Sequence, residues 1–253
     1  VSIIHISGNT SSVRRYGSYS VTLFVNITDT DEGVQALNAN TTFWITLNAS
    51  NVTSWNRGFV TTTDSEGSVS IPFDPDCAYT TGAQRWLAGT RNDPYFKYTN
   101  SSNFTVDITT LLNISIVHPN GEAYLIGTVL PMRVNLTDEC GPVPGATVVI
   151  TDKFSSASFP CVPPQHSGVS EESGGTYYCN FTVGAPFKFH SINATALKPY
   201  YGNYPTPNTT LKTNAYFVAS QPSLGTPSVD PALAGWGKKH TFSGSLTDSD
   251  QNN

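Results

Sequence analysis

Three acidic corner loops carry the side chains best suited to hold a metal ion. Asp29, Asp31 and Glu32 lie in TDTDEG, Asp138 and Glu139 in TDEC, and Asp248 and Asp250 in TDSD. Calcium takes six to eight oxygen ligands, often from closely spaced carboxylates and carbonyls, so each corner is a candidate calcium site. Two or three carboxylates are too few alone, and an adjoining module would have to supply the remaining oxygens. The competing reading is structural: Asp opens a turn by bonding its own backbone. Calcium is the one cofactor the sequence points to.

A second chemistry belongs to asparagine. N-x-S/T, with x not proline, begins at Asn9, Asn26, Asn40, Asn48, Asn51, Asn100, Asn103, Asn113, Asn135, Asn180, Asn193 and Asn208. Chance would give about five such motifs in a chain of this composition, and some will be accidents of threonine-rich strands. Their excess predicts N-glycosylation, and with it an extracellular or cell-surface location. The composition fits: only 12% of the 253 residues are charged and the formal net charge is −5, so glycans would supply the missing polar surface.

The four cysteines form an even set in an apparently exported chain, which implies two disulfides with three possible connectivities. No C-x-x-C occurs, so redox catalysis and a zinc ribbon lose their main support. Cys161 and Cys179 flank a Gly/Ser-rich excursion on strands expected to be neighbours, and their pairing would be a local staple. That leaves Cys77 with Cys140. Connections in a sandwich alternate between its two ends. Cys77 falls between the fifth and sixth strands of a first module, at its far end. Cys140 falls between the second and third strands of the next, at its near end. The expectation is an inter-module bridge that locks the hinge, which needs Cα atoms within about 7 Å. The rival pairs Cys140 with Cys179 and leaves Cys77 to Cys161 or free.

Enzymatic signatures are missing from the sequence. There is no G-x-S-x-G, H-E-x-x-H, P-loop or G-x-G-x-x-G. His5, His118, His166, His190 and His240 are scattered singly, as strand or loop residues, so the expectation is a non-enzyme with no catalytic residues. Trp44, Trp55, Trp86 and Trp236, with Tyr200, Tyr201 and Tyr204, are candidates for sugar-binding platforms or for ordinary packing. Trp86 sits in an alternating strand and reads as core. Lys and Arg number 13 with no basic run, which argues against nucleic acid. No apolar stretch approaches the roughly 20 residues that span a bilayer, so no membrane insertion is expected. The chain opens at Val1 without a leader pattern, as a processed or excised segment would.

The elements that must position these groups are strands. β-Branched and aromatic residues are common, and helix formers are scarce. Residues 20–28 alternate cleanly, with Val21, Leu23, Val25 and Ile27 on one face. Residues 59–63 and 68–73 flank Asp64-Ser65-Glu66-Gly67 as a predicted hairpin. Strands are also predicted over 84–90, 95–98 and 104–108. The phrase VNITD at Val25 returns as VNLTD at Val134 and, cut short, as SLTD at Ser245. Such a repeat predicts tandem modules: 1–109 and 110–219 as β-sandwiches, and 220–253 as the start of a third. Strands over 226–229 and 240–246 would open that third module. Two strands cannot close a sandwich, so the full protein is expected to continue, or a neighbouring chain to complete it.

VNLTDECGPVPGATVVI followed by SGGTYYCNFTV resembles the Ig-like repeats of large archaeal cell-surface proteins, including S-layer subunits, extracellular filaments and giant adhesins. Gly235-Trp236-Gly237 with His240-Thr241-Phe242 is similar to the opening of another such module. The resemblance implies an all-β chain of tandem Ig-like β-sandwich domains, N-glycosylation and export, and it brings no catalytic residues. The expected function is a structural cell-surface glycoprotein, part of an S-layer or filament, self-associating through sandwich faces or edges such as residues 1–6. Its partners would be further copies and N-linked glycans. An adhesin or carbohydrate-binding module is one alternative, and a non-catalytic appendage of a secreted enzyme is another.

Overall fold

The computed structural model describes residues 1–154, 157–164, 166–230 and 235–247. Asp248 and Asp250 lie outside the described residues. By contacts the chain divides into two compact units. Unit 1 comprises Val1–Asn113, Thr137–Ala146 and Leu197–Asn208. Unit 2 comprises Ile114–Leu136, Thr147–Ala196 and Thr209–Asn253.

In unit 1 the strands follow in order as β1 (Ser2–Ser7), β2 (Ser11–Arg14), β3 (Val21–Asp29), β4 (Val34–Gln35), β5 (Asn40–Asn48), β6 (Asn51–Trp55), β7 (Phe59–Thr62), β8 (Ser68–Phe73), β9 (Gly82–Thr90), β10 (Thr99–Asn100) and β11 (Phe104–Thr109). One sheet is organised on β3, which pairs with β1, β4 and β8. The other runs β2-β11-β9-β5-β6, with β7 on β5 and β10 on β9. The core lies between them because side chains alternate across a strand. Leu23, Val25 and Ile27 point inward from β3, Val69, Ile71 and Phe73 from β8, and Phe43, Trp86, Val106 and Ile108 from the facing sheet. Trp86 is fully buried, and its Nε1–H donates to the Gly8 carbonyl at 3.1 Å.

The chain then makes β12 (Asn113–His118), β13 (Ala123–Leu125), β14 (Val129–Asp138), β15 (Gly141–Pro142), β16 (Thr147–Phe154), β17 (Ala157–Pro160), β18 (Ser170–Ser173), β19 (Thr176–Thr182), β20 (Phe189–Leu197) and β21 (Asn208–Ala219). The pairing plan repeats. One sheet is β12-β14-β19-β18, and the other is β13-β21-β20-β16-β17. Met132, Val134 and Leu136 are fully buried on β14, as Leu23, Val25 and Ile27 are on β3. In both halves a short second strand runs parallel to the last: β2 beside β11 and β13 beside β21. The pairs β1–β3, β9–β11, β14–β19, β16–β17, β3–β8 and β5–β9 are antiparallel. The fold is all-β, with tandem Ig-like β-sandwiches. Four further short strands, β22 (Ser223–Leu224), β23 (Ser228–Asp230), β24 (Thr241–Ser243) and β25 (Leu246–Thr247), pair as β22-β25 and β23-β24. Their residues are exposed.

Two local expectations fail. The predicted hairpin around Asp64–Gly67 is a crossover: β7 pairs with β5 in one sheet and β8 with β3 in the other. The turn itself forms. Asp64 Oδ1 accepts from the Glu66 and Ser68 amides at 2.8 and 2.9 Å. Gly67 has φ +68°, and a Cβ there would stand 2.5 Å from the Ile27 carbonyl oxygen, so glycine is required. The inward set Val69, Ile71 and Phe73 decides the matter by burying against the core from the β3 sheet. Residues 95–98 are irregular rather than a strand. Asp93 Oδ1 accepts from the Tyr95 and Phe96 amides, both at 2.8 Å, and this Asx turn takes the backbone donors a ladder would need.

Candidate functional site

The corner phrase folds alike in both copies. Asp29 Oδ1 accepts from the Asp31 amide at 3.0 Å, and Asp138 Oδ1 from the Cys140 amide at 2.8 Å. The return strands β4 and β15 then pair with the strands that lead in. Each corner aspartate therefore closes an Asx turn. The second corner makes a further set of contacts within unit 1. Arg15 donates from Nη2 to Asp138 Oδ2 at 2.6 Å, from Nε to Glu139 Oε1 at 2.7 Å and from Nη1 to the Tyr79 carbonyl at 2.9 Å. The Arg15 and Asp138 side chains are 5% and 6% exposed. Thr110 Oγ1 donates to Glu139 Oε2. Burial pushes the Glu139 pKa up, but the hydrogen bonds from Arg15 and Thr110 outweigh it and hold the carboxyl below the usual glutamate range.

Both carboxylates of this corner are thus engaged by a guanidinium. Among the described residues no group of three or more His, Cys, Asp or Glu side chains converges as a metal site. Asp29, Asp31 and Glu32 sit on the first corner, with Glu32 exposed. Arg15 has no marker in the sequence, where it is one of two adjacent arginines in a polar stretch.

The sequon asparagines share one property: none is buried. Asn9, Asn51, Asn100, Asn103, Asn113 and Asn180 are exposed, and Asn26, Asn40, Asn48, Asn135, Asn193 and Asn208 are half-buried. Mid-strand cases show the cause. Asn135 lies between the buried Val134 and Leu136, and Asn193 between the buried Ile192 and Ala194. A period of two therefore puts Asn and the sequon hydroxyl on the same outward face. Some amides are already used by the protein. Asn26 Nδ2 donates to the Glu66 carbonyl at 2.9 Å, Asn208 Nδ2 to the Leu112 carbonyl at 3.0 Å, and Asn100 Nδ2 to Tyr98 Oη at 3.0 Å.

Cys77 is joined to Cys140, with Cα atoms 5.6 Å apart, and Cys161 to Cys179, with Cα atoms 6.4 Å apart. Cys77 and Cys140 both fall in unit 1. Cys179 is on β19 and Cys161 follows β17, and those strands belong to different sheets. The second bridge therefore links the two sheets of its sandwich instead of neighbouring strands of one sheet.

The aromatic candidates separate. Trp86 is core. Tyr201 is 9% exposed, and its Oη accepts from Thr81 Oγ1 at 2.9 Å. Tyr200, Tyr204 and Trp236 are exposed. Trp44 and Trp55 are half-buried and line a cleft of about 360 Å³ with Arg57, Leu87, Arg91 and Tyr98. Two half-buried tryptophans and two exposed arginines thus share one cleft.

No family model matches the chain, and no curated protein matches it. Among solved structures it is similar to Sidekick-1 immunoglobulin domains 1–4, at 15% identity and TM-score 0.44, over 86% of this chain and 48% of that one. It is similar to a tetra-tandem repeat in the extending region of a large adhesion protein, at 14% identity and TM-score 0.43, over 96% of this chain and 64% of that one. The chain thus spans about half of the first and under two thirds of the second. At such values no functional assignment rests on either.

Proposed function

We propose that this chain is part of a structural cell-surface glycoprotein whose copies associate edge to edge, in an S-layer or an extracellular filament. The observation that carries the reading is β1. Among the described residues it is an end strand, paired with β3 alone, and its Ile4 and Ile6 are 54% and 50% exposed. Open edges usually carry lysine or proline to block pairing with other chains, and β1 (SIIHIS) has neither. A bulge between His5 and Ser7 leaves Ser2–His5 as the part able to add a strand from a second copy. Twelve outward asparagines and two disulfides support an extracellular setting. Electron microscopy of native envelopes with an antibody to this chain tests the reading. Label on a periodic lattice or filament is expected, and the pair Ile4→Lys, Ile6→Lys should dissolve the order while leaving the chain folded. Scattered label, or order that survives both lysines, would overturn it.

A second reading is carbohydrate binding by an adhesin, favoured by the Trp44, Trp55, Arg57 and Arg91 cleft. It leads if the label is scattered on stalks and a glycan array retains the chain through acidic sugars.

A further inference from the structure

The cleft of Trp44 and Trp55 has an attachment point for sugar in its own wall, because Asn100 lines it too. Asn100 opens the sequon Asn100-Ser101-Ser102, and both Asn100 and Ser102 are exposed. Strand register brings the asparagine to the tryptophan. Trp44 on β5 faces Leu87 on β9, while their neighbours Phe43, Ile45, Trp86 and Ala88 are buried in the core. Alternation therefore sends Trp44 and Leu87 to the outer face of the sheet. Gly89 follows Leu87 on that face, and β10 pairs Asn100 with it. A Cβ on Gly89 would collide with Asn100 Oδ1, and it would stand 2.8 Å from the Thr99 carbonyl oxygen and 3.1 Å from Trp44 Cζ3. The φ of Gly89 lies outside the left-handed region, so glycine serves space here rather than backbone conformation. It lets the Asn100 amide and the Trp44 indole close over the same strand.

Asn100 Nδ2 donates to Tyr98 Oη at 3.0 Å. An amide nitrogen carries two hydrogens, so that bond survives when the other is replaced by a sugar. In the transfer a glycosyl phosphate donor gives its anomeric carbon to Nδ2, the bond from that carbon to the phosphate oxygen breaks, and the phosphate leaves with the displaced proton. A sugar joined at Nδ2 starts beside the Trp44 ring. Packing of a free sugar on an indole is weak, but a short tether makes the contact intramolecular and raises its effective concentration to the millimolar range. Arg57 and Arg91, exposed on the same wall, carry N–H donors for hydroxyl and acyl oxygens.

We propose that the occupant of this cleft is the chain's own N-glycan, its first sugar attached at Asn100 Nδ2 and packed against Trp44. This rests on the glycoprotein reading above, and it closes the cleft to the outside sugars that the adhesin reading requires.

The test uses the full chain secreted from a eukaryotic cell line and trimmed by an endoglycosidase, so that each occupied sequon keeps a single N-acetylglucosamine. Isotope-labelled sugar then reports its surroundings by NMR. Nuclear Overhauser contacts between the Asn100 sugar and the Trp44 indole are expected, with upfield ring-current shifts that the sugar on exposed Asn103 lacks. Ser102→Ala empties the Asn100 sequon and leaves the cleft side chains in place. It should remove those signals and lower the melting temperature by a few degrees, and because Ser102 is exposed this variant should fold. In a Trp44→Leu background the upfield shifts should vanish, and Ser102→Ala should no longer lower the melting temperature. An Asn100 sugar with the shifts of the Asn103 sugar and no contact to Trp44 would overturn the inference. So would an empty Asn100 beside other occupied sequons, and in both cases the glycoprotein reading stands. If every sequon is empty, both fall.

Discussion

At the scale of single residues, Arg15 settles how the second corner is used. Its three donors face Asp138, Glu139 and the Tyr79 carbonyl, and the guanidinium and the Asp138 carboxylate are withdrawn from water. Removing one partner of a buried pair leaves the other charge uncompensated, at about 3–5 kcal/mol. Arg15→Met should therefore lower unfolding free energy by about 3 kcal/mol in urea denaturation at neutral pH. An acid series gives a second readout. The folded pKa of Glu139 is held below the ordinary glutamate value. Its contribution is thus present above the unfolded pKa and lost as pH falls through the folded one. The native chain should lose stability across that window, and Arg15→Met should show a shallower loss because the main depressing bond is gone. A slope unchanged by the substitution would contradict this account. Arg15 was not legible from sequence. Arg15 follows a four-residue polar strand with no alternation, and its partners lie far along the chain, so spacing carries no trace of them. The corner aspartates were legible as turn openers because an Asx turn is completed within two residues.

Among elements, legibility followed the same division between local and distant. Strands β3, β8, β14 and β20 show period-two alternation because each buries one face. β2 and β13 gave no signal. They are short, and they form by parallel pairing with strands about 95 residues away, which leaves no mark on composition. The Asp64–Gly67 turn was read correctly as a turn and wrongly as a hairpin, since a turn sequence does not say which sheet receives the next strand. The disulfides act on these elements through the unfolded chain. Cys77–Cys140 closes a separation of 63 residues and Cys161–Cys179 one of 18. Chain entropy assigns about 4 kcal/mol to the longer loop and about 3 kcal/mol to the shorter. Cys77→Ser with Cys140→Ser should therefore cost about 1 kcal/mol more than Cys161→Ser with Cys179→Ser, by urea denaturation of the two double variants. The reverse order would mean that the inter-sheet bridge limits native strain or residual structure beyond what loop length accounts for.

For the whole chain, the central physical question is what keeps so weakly charged a surface in solution. Charged residues make up 12% of the chain, against roughly 25% in an average soluble chain. Large apolar side chains are exposed besides, among them Val60, Tyr95, Leu224 and Phe242. Glycans on the outward asparagines would supply the hydration that charge does not. Glycosylated protein, and protein treated with an amidase that removes N-glycans, should then differ in solubility several-fold at neutral pH, the treated form precipitating first. The comparison has an internal control, because amidase treatment converts each occupied asparagine to aspartate and so adds negative charge. If charge alone governed solubility, treatment would improve it. If glycan bulk governs, solubility falls despite the added charge. The same digest reports occupancy by mass shift. Exposed Asn51, Asn103, Asn113 and Asn180 should be modified more fully than Asn26 and Asn208, whose Nδ2 groups already donate to backbone carbonyls. A chain unmodified at every sequon, and still soluble, would show that its own hydroxyl and amide groups hydrate the surface, and the glycan part of the proposed role would fall with it.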